Sequence, residues 1–219
     1  MNKYQFKIRL LCYLGGFLIM TFGIAFSVKS NLGVSPVSSI PYTMTCVWGI
    51  EMGKATILFH AGLVLLQILL LRKHFKMHNL LQILIGIVFG YFTTLCNFVV
   101  GFFPTPHSLI IRLFMSWIST VLVAFGIFLY VPANFVPLAG EGTMLAIADI
   151  SGKPFPKVKV MFDITMVCVS LITCLSFGKG FGSVGVGTVI AAMLVGLELN
   201  IIYHFLGKYR DMILVADNL

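Results

Sequence analysis

Four of the seven acidic residues, Glu141, Asp149, Asp163 and Glu198, fall inside apolar stretches of the second half of this 219-residue chain. A charged side chain at the centre of a membrane helix costs roughly 2.5–3.5 kcal/mol on insertion scales, so each needs a partner or a task. Glu141 is the most suggestive, standing between two glycines in Gly140-Glu141-Gly142-Thr143. There it could meet a cation, an amine or a proton; the plainer readings are a lysine partner or a cap on the following helix. Asp163 follows Lys159 by four residues, the spacing of an internal ion pair on one helix face. His60 lies 103 positions before Asp163, and a His and an Asp in equivalent places could serve a proton relay. A single His among Leu and Phe is more often a hydrogen-bonded structural residue. Asn31 and Asn134 suit turns, or could line a cavity with their amides. Ser35, with Ser38 and Ser39, could join backbone N–H groups at a helix N-terminus to hold an anion. Glu141 takes the place of Ser38 in the second half, so anion binding at both ends is not expected. Lys54 and Lys157 read as snorkelling residues, or as an anion site.

No CxxC or HExxH is present, and no nucleotide motif. The five cysteines are scattered through apolar runs and read as small buried hydrophobes. No metal, no cofactor and no enzymatic activity are expected, since His60, His204 and Asp163 are too dispersed for a nucleophile–base pair.

These residues must be positioned by helices in a bilayer. Apolar residues make up 59% of the chain and charged ones 10%, too little polar surface for a water-soluble globule. The chain therefore reads as an all-α, polytopic helical membrane protein. Its net charge of +8 comes from short basic clusters between apolar runs, which fit cytoplasmic loops against anionic lipid. The aromatic residues lie elsewhere, so no nucleic-acid partner is expected. The charge-free run from Leu10 to Val28 is long for a signal peptide and reads as a retained first helix. Further spans are expected over 55–71, 79–103, 109–131, 158–177 and 184–206. Two other stretches, 31–50 and 132–150, are apolar but broken by Gly, Pro, Ser and Thr.

An offset of 103 residues aligns the two halves. Arg9 falls on Arg112, Asn31 on Asn134, Gly49 on Gly152, Lys54 on Lys157, and Asn97 on Asn200. The spacing predicts a two-fold internal repeat, 1–105 and 106–207, with a short cytoplasmic tail over 208–219. Ser35 suits an N-cap and Pro36 the first helical position. A helix from there to Gly49 would run about 21 Å, too short to cross. Three full spans and one re-entrant segment per half make the halves inverted; four full spans per half would make them parallel. Only the inverted arrangement keeps Arg72, Lys73 and Lys76 with both termini on the cytoplasmic side. Asn97 and Asn200 are expected to hydrogen-bond between helices. Gly86-x-x-x-Gly90 and Gly187-x-x-x-Ala191 allow close packing, within the chain or in a homo-oligomer.

Leu32-Gly-Val-Ser-Pro36 after the first helix, and Gly182-Ser-Val-Gly-Val-Gly-Thr188 before the last, resemble the YczE/YyaS/YitT group of bacterial membrane proteins. The resemblance implies a multi-pass membrane protein and supplies no activity. Asn79-Leu-Leu-Gln82 departs from it by lacking the glycines found over 178–188. Paired interrupted segments in two halves point to a secondary transporter or permease for a small polar or charged solute or ion. Candidate binding residues are Glu141, Asn31, Ser35, Asn134, Asp163 and His60. The alternative is a non-transporting scaffold that assists a partner.

Overall fold

In the computed structural model, which describes residues 3–215, every regular element is helical. α1 covers Lys3–Ser30, α2 Pro36–Trp48, α3 Met52–Leu71, α4 Leu81–Gly101, α5 Leu109–Tyr130, α6 Ala139–Ser151, α7 Phe155–Ser176 and α8 Val186–Val215. Six of these, α1, α3, α4, α5, α7 and α8, are long and apolar enough to cross a membrane. α2 and α6 have thirteen residues each, about 20 Å at 1.5 Å per residue, and are not. The tail expected from Lys208 continues α8 as helix to Val215; its last four residues lie outside the described ones.

The ends of the two short helices follow from local chemistry. Ser35 is the N-cap of α2 and Pro36 its first residue, while Gly49 ends it at φ 69°. α6 ends at Gly152 with φ 63°. The chain enters each segment through a left-handed asparagine, Asn31 at φ 52° and Asn134 at φ 56°. Asparagine tolerates this conformation because its short amide can bond locally. The asparagines, helix starts and closing glycines recur at a spacing of 103 residues, while Leu138 and Ala139 replace Ser35 and Pro36.

The centre of the bundle is the seam between α1 and α5, which run antiparallel. Gly16 meets Gly126, and Gly23 meets Ser119. Adding 103 to one member of either pair and subtracting it from the other gives the second pair, so the seam has a local two-fold exchange. Arg112 donates from α5 to the Ser30 carbonyl at 2.7 Å and to that of Asn31, covering acceptors left open at the α1 C-terminus.

Each short helix packs on a long helix of the other half. α2 lies on α7, where Ser170 Oγ donates to Ser39 Oγ at 2.8 Å. α6 lies on α3, where Gln67 Nε2 donates to Gln82 Oε1 at 2.8 Å and to Thr143 Oγ1 at 3.2 Å. The exchange breaks down at the last helix. α3 and α4 pack closely through Gly53, Gly86 and Gly90, where an added Cβ would collide with the opposite helix. At the corresponding places α7 and α8 carry Pro156, Val189 and Met193, and the two helices make only marginal contact. Of the α8 span 6% is buried, against 50% of α1, so α8 leans chiefly on α5, with smaller contacts to α1 and α2.

Candidate functional site

α2 begins in a pocket. Its N-cap and third helical residue, Ser35 and Ser38, form one wall; Ser27 of α1, Ser119 and Thr120 of α5, and Ala191 and Val195 of α8 form others. The hollow is small, with closed room for about one water molecule, and it opens on one side. Five hydroxyl groups line it. The N-cap side chain makes no capping bond, and Ser35 Oγ instead donates to Ser38 Oγ at 3.1 Å. The N–H groups of the first α2 turn therefore have neither an intrahelical nor a side-chain acceptor. Ser27 Oγ donates to the Gly33 carbonyl at 3.0 Å and holds the turn in place. Ser119 is 4% exposed and makes no hydrogen bond among the described residues.

A carboxylate adjoins this pocket. Thr120 Oγ1 donates to the Trp117 carbonyl at 2.7 Å and lies 3.0 Å from Glu198 Oε1, and Glu198 Oε2 is buried without a partner. Glu198 lies twelve residues from the start of the Val186–Met212 span and fourteen from its end, near the middle of that span. Thr120 is equally central in α5. Sequence reasoning placed Glu198 inside a span but gave it no role, because its partner lies 78 residues away with no spacing rule to connect them.

The equivalent place in the other half is closed. Residues 103 positions from Ser27, Ser35, Ser38, Ser119 and Thr120 are Tyr130, Leu138, Glu141, Gly16 and Phe17. Tyr130, Leu138 and Phe17 belong to a packed cluster with Tyr13, Met20, Phe89 and Phe135. Phe17 and Tyr130 stack with ring centroids 5.1 Å apart, and Tyr13 Oη donates to the Val136 carbonyl at 2.5 Å. Glu141, third residue of α6, stands half-buried at the rim of this cluster beside Tyr130, whose hydroxyl finds no hydrogen-bond partner. One half thus presents a hydroxyl-lined hollow and the other an aromatic fill.

The remaining sequence candidates separate. Asn31 and Asn134 are exposed turn residues outside the pocket. Asp163 pairs with Lys159 at 2.7 Å, four residues apart on α7. His60, 4% exposed, faces the α3–α4 seam beside Phe59 and Phe89, its Nδ1 without a partner. The expected hydrogen bond from Asn97 to a neighbouring helix is not made; its amide donates to Thr93 of its own helix at 2.8 Å, the closer acceptor one turn back. Both small-residue pairs pack within the chain: Gly86 and Gly90 against α3, and Gly187 against Leu32 and Gly33. Lys54 and Lys157 are exposed beside the starts of α3 and α7. Among the described residues, no group of three or more His, Cys, Asp and Glu could hold a metal ion.

The described family of unknown function DUF6198 matches residues 7–204. The chain belongs to the DUF6198 family. It is similar to the "Uncharacterized protein YyaS" of Bacillus subtilis (strain 168), 27% identical over 204 residues, covering 89% of this chain and 94% of that one. It is also similar to the "Uncharacterized membrane protein YczE" of the same organism, 27% identical over 199 residues, with 90% and 86% covered. No solved structure matches this DUF6198 member.

Proposed function

We propose that this chain is a secondary transporter for a small polar or charged solute, built from two inverted halves that meet at a site near the bilayer midplane. In this reading α2 and α6 are re-entrant helices whose N-termini point into the membrane. Unpaired backbone at that depth is tolerated only beside protein or water. The observation that carries the reading is the hydroxyl-lined pocket at the start of a helix too short to cross. Broken helices with open N-termini are the usual binding element of such transporters. With no nucleotide motif, an ion gradient or the solute's own gradient would drive movement.

The halves are inverted in this reading because α1 and α5 run antiparallel. Both termini then face the cytoplasm of a cell membrane, and all Lys and Arg except Lys29, Lys54, Arg112 and Lys179 fall on the cytoplasmic side. The scaffold alternative draws on α8, an apolar span of which only 6% is buried. Two measurements test the proposal in a background lacking the five native cysteines. A cysteine at Met77, in the exposed turn between α3 and α4, should be labelled only from the cytoplasm. A cysteine at Ser119 should react with a small water-soluble reagent. Labelling of Met77 from outside would replace inverted halves by eight full crossings. A silent Ser119 would leave the scaffold.

A further inference from the structure

α2 and α6 correspond residue for residue, yet their N-termini differ in charge. α6 carries Glu141 in its first turn, whereas α2 has no acidic residue there. The two helices share a length and a polarity of backbone dipole, equivalent to about half a positive charge at each N-terminus. In α6 the chain itself places a carboxyl group at that end. In α2 the corresponding position is Ser38, a donor, and around it stand Ser27, Ser35, Ser119 and Thr120. Ser119 is buried, without a partner, and lines the same hollow. A carboxylate-sized group seated here would occupy, relative to α2, the place of the Glu141 carboxylate relative to α6.

Glu198 then has a defined consequence. Its Oε1 lies 3.0 Å from Oγ1 of Thr120, a pocket residue, and its Oε2 is buried and free. No opposite charge faces it. Of the helices packed against α8, α5 brings Arg112 at one end, eight residues from Thr120, and Tyr130 at the other, ten residues from it. α1 brings Lys7, Arg9, Cys12, Tyr13 and Lys29, and α2 brings Tyr42 and Cys46; none of them acts on the carboxyl. The nearest titratable groups on α8 itself are Tyr203 and His204, more than one turn on. An anion in the pocket and an ionised Glu198 would repel each other at low dielectric. A protonated Glu198 removes that repulsion, so binding one favours binding the other.

We propose that the pocket at the α2 N-terminus binds a small oxyanion of carboxylate size, and that Glu198 takes up one proton as it does so. This rests on the transporter reading for its purpose, and it names the class of solute and the coupling residue: an oxyanion moving with a proton. Nitrate and formate are suitable probes, being planar, small and themselves unprotonated near neutral pH.

The test is calorimetric titration of the purified full chain with sodium nitrate and sodium formate, in buffers of different ionisation enthalpy. Binding of either anion should be accompanied by uptake of close to one proton above the titration of Glu198. Affinity there should fall tenfold per pH unit. Glu198→Gln should bind with no proton uptake and no pH dependence. Ser38→Ala and Ser119→Ala should each weaken binding roughly tenfold, the loss of a hydrogen bond to a charged group. Absence of binding by both anions overturns the proposal. So does binding without proton uptake, which the wild-type chain alone would reveal if Glu198→Gln fails to fold. Uptake that survives in a folded Glu198→Gln overturns the assignment of Glu198. Proteoliposomes separate this from the transporter reading: an anion that binds with its proton but never crosses leaves the coupled site standing and removes the permease. Anion flux without proton movement does the reverse.

Discussion

The α1–α5 seam offers the sharpest test of the packing argument. A Cβ added at Gly16 would stand 2.8 Å from the Gly126 carbonyl oxygen, 2.8 Å from Tyr130 Cβ and 2.9 Å from the Tyr130 nitrogen. None of these is the tip of a flexible side chain, so no rotamer change can relieve them. To restore ordinary contact at 3.4 Å the helices must separate by about 0.6 Å at this point. Overpacking of this kind costs about 1–3 kcal/mol, and rigid obstacles on three sides place it at the upper end. Against this, alanine gains about 1 kcal/mol over glycine as a helix former. Gly16→Ala should therefore destabilise the bundle by about 2 kcal/mol. Gly62, exposed on α3 with nothing within 4 Å of its added Cβ, is the control. Gly62→Ala should stabilise by up to about 1 kcal/mol. The gap of about 3 kcal/mol is roughly a hundredfold in the folding equilibrium, readily resolved by unfolding in mixed micelles with increasing denaturing detergent. Equal stability of the two variants would refute the close approach of α1 and α5, and with it the geometry of everything built around that seam.

Other outcomes follow from single contacts. Gln82→Leu leaves the buried Gln67 amide without its closest acceptor and should cost about 1–3 kcal/mol in the same unfolding assay. Asp163→Asn breaks a pair whose lysine is half exposed, so stability should change by less than about 1 kcal/mol; a larger loss would revive the relay with His60. Glu141→Gln should lower stability by about 0.3–1 kcal/mol through the α6 dipole. In calorimetry it should leave proton uptake intact, where Glu198→Gln abolishes it. Ser119→Phe, which imitates the aromatic fill of the other half, should block anion binding while the chain still elutes as a folded species.

Much of the architecture was legible because its signals are local. Ser35-Pro36 and Gly49 bracket α2 to the residue, since N-cap, proline at the first position and left-handed glycine act over one turn. The 103-residue spacing of a few polar residues drew attention to the second broken stretch, 132–150, where α6 lies. The pocket was less visible for a physical reason. Its hydroxyls come from three helices, and serine and threonine in a membrane helix read the same whether they bond their own backbone or face a hollow. Ser119 and Thr120 are adjacent in sequence; the latter touches Glu198 only because α5 and α8 pack. The looseness of α8 was written in Pro156, Val189 and Met193, but a glycine's absence is informative only once its counterpart is known to be a contact. Glu141 drew notice for its two glycines, while the carboxylate beside the pocket was Glu198, embedded in an ordinary-looking span.

The loose seam between α7 and α8 has a practical consequence. A slot with apolar walls in a bilayer fills with acyl chains, and those chains then brace α8 where no neighbouring helix does. Ala191, Val195 and Glu198 ride on that helix, so the shape of the hollow depends on molecules that harsh solubilisation strips away. Nanodiscs, or preparations supplemented with native phospholipid, should keep the wall upright; a delipidated sample would report on a protein with one side of its chamber adrift.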